Sequence, residues 1–397
     1  MKLLVYSHFF APSVGGVETV VLSLSQGLSE LREANGGSEF QVTLVTQTPA
    51  GNYDESVLPF RVVRRPALHQ LWRLIRSSDV VHLAGPALAP LLLGLLARRP
   101  VVIEHHGFQT ICPNGQLLIE PQGAPCPGHF MAGRHGECLR CNSDEGRFAS
   151  WRLWLLTFLR RFLSAQVAAN VVPTRWLGDL LQLPRITAVP HGLAASQPIS
   201  RIATPSNTPV IVFLGRLVTT KGVHVLLKAA KILLEQRRSF ELLIIGDGPE
   251  RAALEQFVRD FQLEAKIRFA GRLNDDQLEA ALAQAAAVAV PSLGGEVFGM
   301  VVAENMVRGL PVVASDLGAF VEVLGGTGLT FRTGDAADLA AVVGRLLDDP
   351  STTTCLGQGA RQRMLQLFSF GAMIDTHARV YRDVCLATRK LPGRNSD

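Results

Sequence analysis

Val290–Val313, VPSLGGEVFGMVVAENMVRGLPVV, is the stretch whose reading decides the fold. An apolar strand end runs into a Gly-rich loop, a helix start and then a second apolar strand. Glu296 and Glu304 lie on either side of Gly299, one in the loop and one inside the helix. Gly294 and Gly295 allow the backbone close to a ligand, and a helix N-terminus offers unpaired N–H groups to an anion. A carboxylate one turn into such a helix is suited to accepting from vicinal hydroxyls, such as those of a ribose.

Outward from this stretch the chain alternates strands and helices. In the first half, Lys2–Tyr6, Gln41–Thr46, Asp79–Leu83, Val101–Glu104, Ala165–Val172 and Ile186–Val189 read as strands, with helical patterns at Glu18–Arg32, Pro86–Arg98 and Arg175–Leu181. A second series begins near Pro209, with strands at Val210–Leu214, Glu241–Ile245, Ile267–Ala270, Ala287–Val290, Val312–Ala314 and Leu329–Phe331. Helices at Gly222–Gln236, Pro249–Phe261, Gln277–Ala285 and Val301–Val307 fall between them. Fully apolar strands alternating with helices predict parallel sheets covered on both faces, with ligands at the carboxyl ends of the strands. Arg201–Pro209 is polar and carries two prolines, so it reads as a linker between two doubly wound halves. The domains expected are 1–200, 209–368, and a C-terminal helix with its tail over 369–397.

At 397 residues there is length for two cores, and 47% apolar against 18% charged residues excludes a disordered chain. A net charge of +5 suits an anionic small molecule or a weakly anionic membrane and does not call for nucleic acid. The N-terminal MKLLVYSHFFAP is interrupted by Ser7 and His8 and reads as a buried first strand rather than a leader, which makes a cytoplasmic protein the expectation.

Several loops after strands carry chemistry. Phe10–Glu18, FAPSVGGVE, puts Gly15 and Gly16 at a helix start, without the GxGxxG spacing of a nicotinamide site. Val101–Phe108, VVIEHHGF, ends a strand with His105 and His106, and a cleft histidine can donate to a sugar hydroxyl; His82, at an earlier strand end, reads as structural. In Phe213–Gly222, FLGRLVTTKG, Arg216 and Lys221 flank a strand-to-helix turn, two fixed cations able to neutralise a diphosphate without a divalent metal. Gly246 and Gly248 in IIGDGPE permit close backbone approach, with Asp247 as a turn cap, and FAGR ends a strand at Gly271.

Two further segments stand apart. Cys112, Cys126, Cys138 and Cys141 crowd a loop over 108–146, where the Cys-x2-Cys pair suits a structural zinc as well as it suits unpaired thiols. Ala149–Gln166, ASWRLWLLTFLRRFLSAQ, is a Trp-, Leu- and Phe-rich helix with Arg152, Arg160 and Arg161, compatible with a buried helix, self-association or peripheral contact with an anionic membrane.

Pro291-Ser292, Glu296, Phe298-Gly299, Glu304 and Gly309-x-Pro311-Val312-Val313-Ala314-Ser315 together resemble the signature of retaining family-4 glycosyltransferases, also known as glycosyltransferase group 1. The resemblance implies a GT-B fold: two facing Rossmann-like doubly wound domains, with the last helix crossing back to the first. It also implies transfer of a hexose from a UDP- or GDP-linked donor to a hydroxyl of a glycan, a lipid-linked glycan or a small molecule, with no cofactor and no metal. His106, Arg216, Lys221 and Glu296 would then be catalytic. Glu304 would hold the ribose, and Gly15, Gly16, Gly246, Gly248, Gly271, Phe298 and Gly299 would line the donor site. Asn305 stands where the family has a small residue. His191 and Ala194 replace the Asn and Asp of its usual Pro-Asn-Gly loop, which removes that loop from the expected site. The rival readings are a sugar-nucleotide epimerase on the same fold and a non-catalytic sugar-nucleotide-binding partner subunit.

Overall fold

The computed structural model describes residues 1–13, 15–142, 146–194 and 208–389. The chain divides into two compact units, Met1–Gly115 with Gly128–Gly192 and the segment from Phe370, and Gln116–Pro127 with Leu193–Ser369.

The first unit is built on seven parallel strands: β1 (Lys2–Ser7), β2 (Gln41–Thr46), β3 (Arg61–Arg64), β4 (Val80–Ala84), β5 (Val101–Glu104), β6 (Ala169–Val172) and β7 (Ile186–Ala188). Their order across the sheet is β3-β2-β1-β4-β5-β6-β7. Leu3, Val5, Val42, Leu44, Val80 and Val102 face one apolar layer, while Leu4, Val45, Val81, Leu83 and Ile103 face another, which is why these strands are apolar throughout. The C-terminal helix Phe370–Arg389 lies in the first of those layers through Met373, Ile374, Ala378 and Tyr381. Gly27, inside helix Gly16–Glu30, permits the approach: a Cβ there would stand 2.5 Å from Ile374 Cδ1. The α/β architecture and the return of the last helix to the first domain therefore stand as expected.

The second unit has six parallel strands: β8 (Val210–Leu214), β9 (Glu241–Ile245), β10 (Ile267–Gly271), β11 (Ala285–Val290), β12 (Val312–Ser315) and β13 (Leu329–Phe331). Their order is β10-β9-β8-β11-β12-β13. One face is covered by Val223–Glu235 and Ala336–Asp348, the other by Met300–Val307 and Gly318–Leu324.

Some elements depart from expectation. Arg61–Arg64 is the edge strand of the first sheet, and its arginine-flanked pattern lacks the long apolar run that marks central strands. Helices Leu68–Ser77, Gly318–Leu324 and Ala336–Asp348 were not expected. The expected strand Ala165–Val172 begins only at Ala169, because Ala165 and Gln166 still close the preceding helix on Arg161 O and Leu163 O. Gln116–Pro127, expected to belong with the N-terminal half, is part of the second unit: Gly295 N–H donates to Gln116 O at 2.7 Å, and Leu118 is buried in that unit's core. The expected linker lies outside the described residues as far as Asn207.

Two glycines set the carboxyl edge of the second sheet. Gly246 (φ 132°) leaves β9 so close to the loop after β8 that a Cβ would stand 1.8 Å from Gly215 O. At Gly222 (φ 64°), a Cβ would stand 2.0 Å from Pro291 O. Backbone cannot yield as a side chain can, so both turns require glycine. Gly222→Ala is expected to cost roughly 3 kcal/mol or more, combining left-handed strain with the clash. Gly326→Ala, at φ 82° with open space around it, is expected to cost only about 1 kcal/mol. Urea unfolding of the two variants checks the difference.

Candidate functional site

In the second unit, the loop after β8 meets the loop after β11. Leu293 N–H donates to Thr220 O at 2.7 Å, and Lys221 closes the 3-10 turn Thr219–Lys221. Its Nζ lies 2.6 Å from Glu296 Oε1, which also accepts from Ser292 Oγ at 3.0 Å. Ser315 Oγ, at the end of β12, donates to Ser292 O at 2.6 Å and steadies that loop. The Lys221 and Glu296 side chains are only 24% and 12% exposed, so the pair is shielded from water and stronger than a surface ion pair. Two residues expected at the reaction centre are thus joined directly. Arg216 sits at the carboxyl end of the same β8 strand and is exposed. Arg216 is a second cation on this loop, and Glu250 reaches the same turn, accepting from Thr219 Oγ1.

Helix Met300–Val307 starts at Gly299 (φ 92°) and carries Glu304. Burial raises the Glu304 carboxyl above its usual range, with Arg308 pulling the other way. Gly246 and Gly248 lie in the loop after β9, packed on the backbone of Gly215 and Leu217, and Asp247 accepts from Gly248 N–H as a turn cap. Gly271 ends β10, its carbonyl accepting from Gly246 N–H at 2.8 Å. Phe298 is the exception. Its ring is buried in the core edge-to-face with Phe368, so its side chain packs the domain rather than facing a ligand. The F-G dipeptide signals Gly299, and the aromatic beside it serves the core. Asn305, buried, donates to Val301 O within its own helix.

In the first unit, Gly15 precedes and Gly16 opens helix Gly16–Glu30. The end of β5 is more elaborate than its sequence suggests. Glu104 is fully buried, and four histidines surround its carboxylate. His82 Nε2, His106 Nε2 and His377 Nε2 lie 3.3, 3.5 and 3.6 Å from Oε2, and His191 Nδ1 lies 3.5 Å from Oε1. His106 and His191 stack at 5.3 Å. Burial alone would push the Glu104 carboxyl up, but the facing His106 and His377 outweigh it and hold it well below the usual carboxylate range. Burial pushes His191 down to about 3 and lowers His82. His105 points elsewhere: Asn170 donates to Ser164 O and Pro184 O, so its Oδ1 accepts from His105 Nε2–H at 2.9 Å, and burial pushes His105 down to about 4. His105 is a structural histidine and His106 belongs to the cluster.

Sequence reasoning named His106 but missed Glu104, His191 and His377. Glu104 passed as the last residue of a strand, and His191 as a departure from an Asn. His377 is 271 positions beyond His106 and reaches it only through tertiary packing of the C-terminal helix.

Of the two readings of the cysteines, zinc site or unpaired thiols, the described residues show no convergent cysteine ligand set. Cys112 Sγ contacts Asn114 Oδ1, Asn114 Nδ2 donates to Cys141 Sγ at 3.6 Å, and no group of convergent metal-ligand atoms among the described residues includes a thiol. Helix Arg147–Ser164 exposes Phe148, Trp151, Leu155, Phe158, Leu159 and Phe162 along one face instead of being apolar-buried all round. No helix among the described residues is long and apolar enough to cross a membrane.

Two parallel-sheet units with cations, glycines and a helix-borne carboxylate at strand ends have the architecture of the GT-B class. Residues 14–197 match the family model for Glycosyltransferase Family 4, and residues 198–363 that for Glycosyl transferases group 1. The MMP alpha-(1->4)-mannosyltransferase of Mycolicibacterium hassiacum is 32% identical over 417 residues, covering 96% of this chain and 98% of that protein. A glycogen synthase of Mycobacterium tuberculosis is 30% identical over 254 residues, 60% of this chain, and the chain spans 61% of its length. Anabaena HepE, solved in complex with UDP and glucose, superposes with a TM-score of 0.70 at 17% identity, covering 96% of this chain and 100% of that chain. The chain belongs to the family-4, group 1 glycosyltransferases.

Tyr381 OH hydrogen-bonds His82 Nδ1 at 2.9 Å in fully buried surroundings. Tyr381→Phe leaves that nitrogen without its partner and is expected to destabilise the protein by about 1–3 kcal/mol, measured by chemical denaturation.

Proposed function

We propose that this glycosyltransferase moves a hexose, with retention of anomeric configuration, from a UDP- or GDP-linked donor to a hydroxyl of a glycan or lipid-linked acceptor. The second unit takes the donor and the first the acceptor. The observation that carries the reading is the seating of Lys221 on Glu296 beside the Gly-lined carboxyl edge of the second sheet, with Arg216 on the same β8 loop.

An incoming pyrophosphate offers Lys221 a second anion, while exposed Arg216 can fork onto phosphate oxygens. Two fixed cations supply what a divalent metal supplies elsewhere, and charge building on the departing diphosphate is met by dipoles and charges already in place. Glu296, relieved of part of its pairing with Lys221, can accept from a hydroxyl of the donor sugar. Glu304 is raised by burial with no donor bound, and two ribose hydroxyls donating to it would favour its ionised form. His106, at the end of β5, offers its imidazole to the transferred sugar. The acceptor then attacks from the face the leaving group departs, which the diphosphate itself can assist by taking the hydroxyl proton. Relatives named as mannosyltransferase and glycogen synthase, and a structural neighbour crystallised with UDP and glucose, support the donor class. The exposed aromatic face of Arg147–Ser164, with Arg152 exposed beside it, suits an acceptor presented at an anionic membrane surface.

Lys221→Ala and Arg216→Ala are each expected to lower kcat about 10²–10³-fold with unfolding curves unchanged, assayed with chelator present, where the wild type keeps full turnover. Near-normal turnover in either variant would remove that residue from the diphosphate. Donor identity is read by thermal shift across UDP- and GDP-linked hexoses. The true donor, at about 100 times its Kd, is expected to stabilise the fold by about 2.7 kcal/mol, and a screen without a shift would count against a sugar nucleotide.

A further inference from the structure

We infer that the first unit holds a divalent transition-metal ion, zinc by its donor set, between Glu104, His106 and His191. One ligand atom from each of these residues lies within 4.8 Å of the other two. The site is separate from the diphosphate-binding residues, and nothing in the sequence signature announces it.

Two observations carry it. The first is spacing. The imidazole nitrogens stand 3.3–3.6 Å from the Glu104 oxygens, beyond the 2.7–3.2 Å of ordinary N–H···O bonds. Ligands about 2.1 Å from a tetrahedral ion are separated from each other by about 3.4 Å. The His106 and His191 nitrogens, each 3.5 Å from a Glu104 oxygen, have that separation. Both Glu104 oxygens and the Nε2 atoms of His82, His106 and His377 are buried without a hydrogen-bond partner among the described residues.

The second is the donor set. His377 Nδ1 lies 3.0 Å from Met373 O, and a carbonyl only accepts, so that nitrogen carries the proton. His377 Nε2 faces Glu104 Oε2 at 3.6 Å. The Glu104 carboxyl group is fully buried with no lysine or arginine paired to it among the described residues, an environment that suits a bound cation. Two imidazoles and one carboxylate match the ligand set of zinc sites that keep an open fourth position. His82 and His377, held from behind by Tyr381 and the Met373 carbonyl, face the same carboxylate. The ion engages the imidazole that the donor reading offers to a sugar, so occupancy and donor binding are expected to oppose one another. Metal here would restrain transfer rather than drive it.

The test reads binding, not transfer, so its failure is separate from failure of the donor assignment. The full chain, stripped with chelator, is titrated with Co2+. One equivalent with the intense visible bands of a tetrahedral nitrogen–oxygen site is expected, displaced by Zn2+. His191→Asn restores the residue usual in this loop of the family and is expected to bind Zn2+ at least ~100-fold more weakly, with its unfolding curve retained. X-ray absorption of the wild-type zinc adduct, which needs no variant, is expected to show imidazole and oxygen ligands without sulfur. Absence of binding, equal affinity in His191→Asn, or thiolate charge-transfer bands placing the metal on the cysteines would each overturn the proposal.

Discussion

A parallel sheet covered on both faces has nowhere to put polar groups except at its ends, and that constraint governs the molecule. In both units the central strands are buried on both sides, so the turns leaving their carboxyl ends are where polar groups gather. Gly15, His106, Arg216, Gly246, Gly271 and Glu296 all lie in such turns. Their common placement follows from sheet topology, since each parallel crossover returns the chain to the same edge.

The two units solve the burial of a carboxylate differently. Glu296 has a lysine within 2.6 Å and a serine hydroxyl on the same oxygen, and it stays close enough to the surface for a ligand to compete for Lys221. Such a pair is ready to be rearranged by an anion. Glu104 lies deeper and has only imidazoles around it among the described residues, none within ordinary hydrogen-bond distance. An imidazole offers either a proton or a lone pair, so this arrangement leaves room for a cation where the Lys221 pair does not.

Much of this was legible because local patterns and family-type motifs report local geometry. The strands of both sheets, the strand-to-helix turn around Gly222 and the tight packing at Gly246 follow from apolar runs ending at glycines. What stayed hidden was either weakly patterned or remote. The edge strand Arg61–Arg64 has too little apolar sequence to announce itself, and Gln116–Pro127 could not be assigned to the second unit from its own residues. Phe298 looked like a binding residue because it adjoins Gly299, yet its ring is inside the core.

The amino-acid sequence by itself determined the α/β class, the two doubly wound halves, the loop that carries Arg216 and Lys221 and the helix-borne Glu304, since each rests on local patterns along the chain. Only the tertiary structure decided which of the histidines matter together. His82, His106, His191 and His377 come from the middle of β4, the turns after β5 and β7, and the last helix, and they converge on Glu104 because the C-terminal helix packs over the first sheet. Spacing along a chain carries no record of such a meeting, which depends on long-range packing of apolar faces far from the groups it brings together.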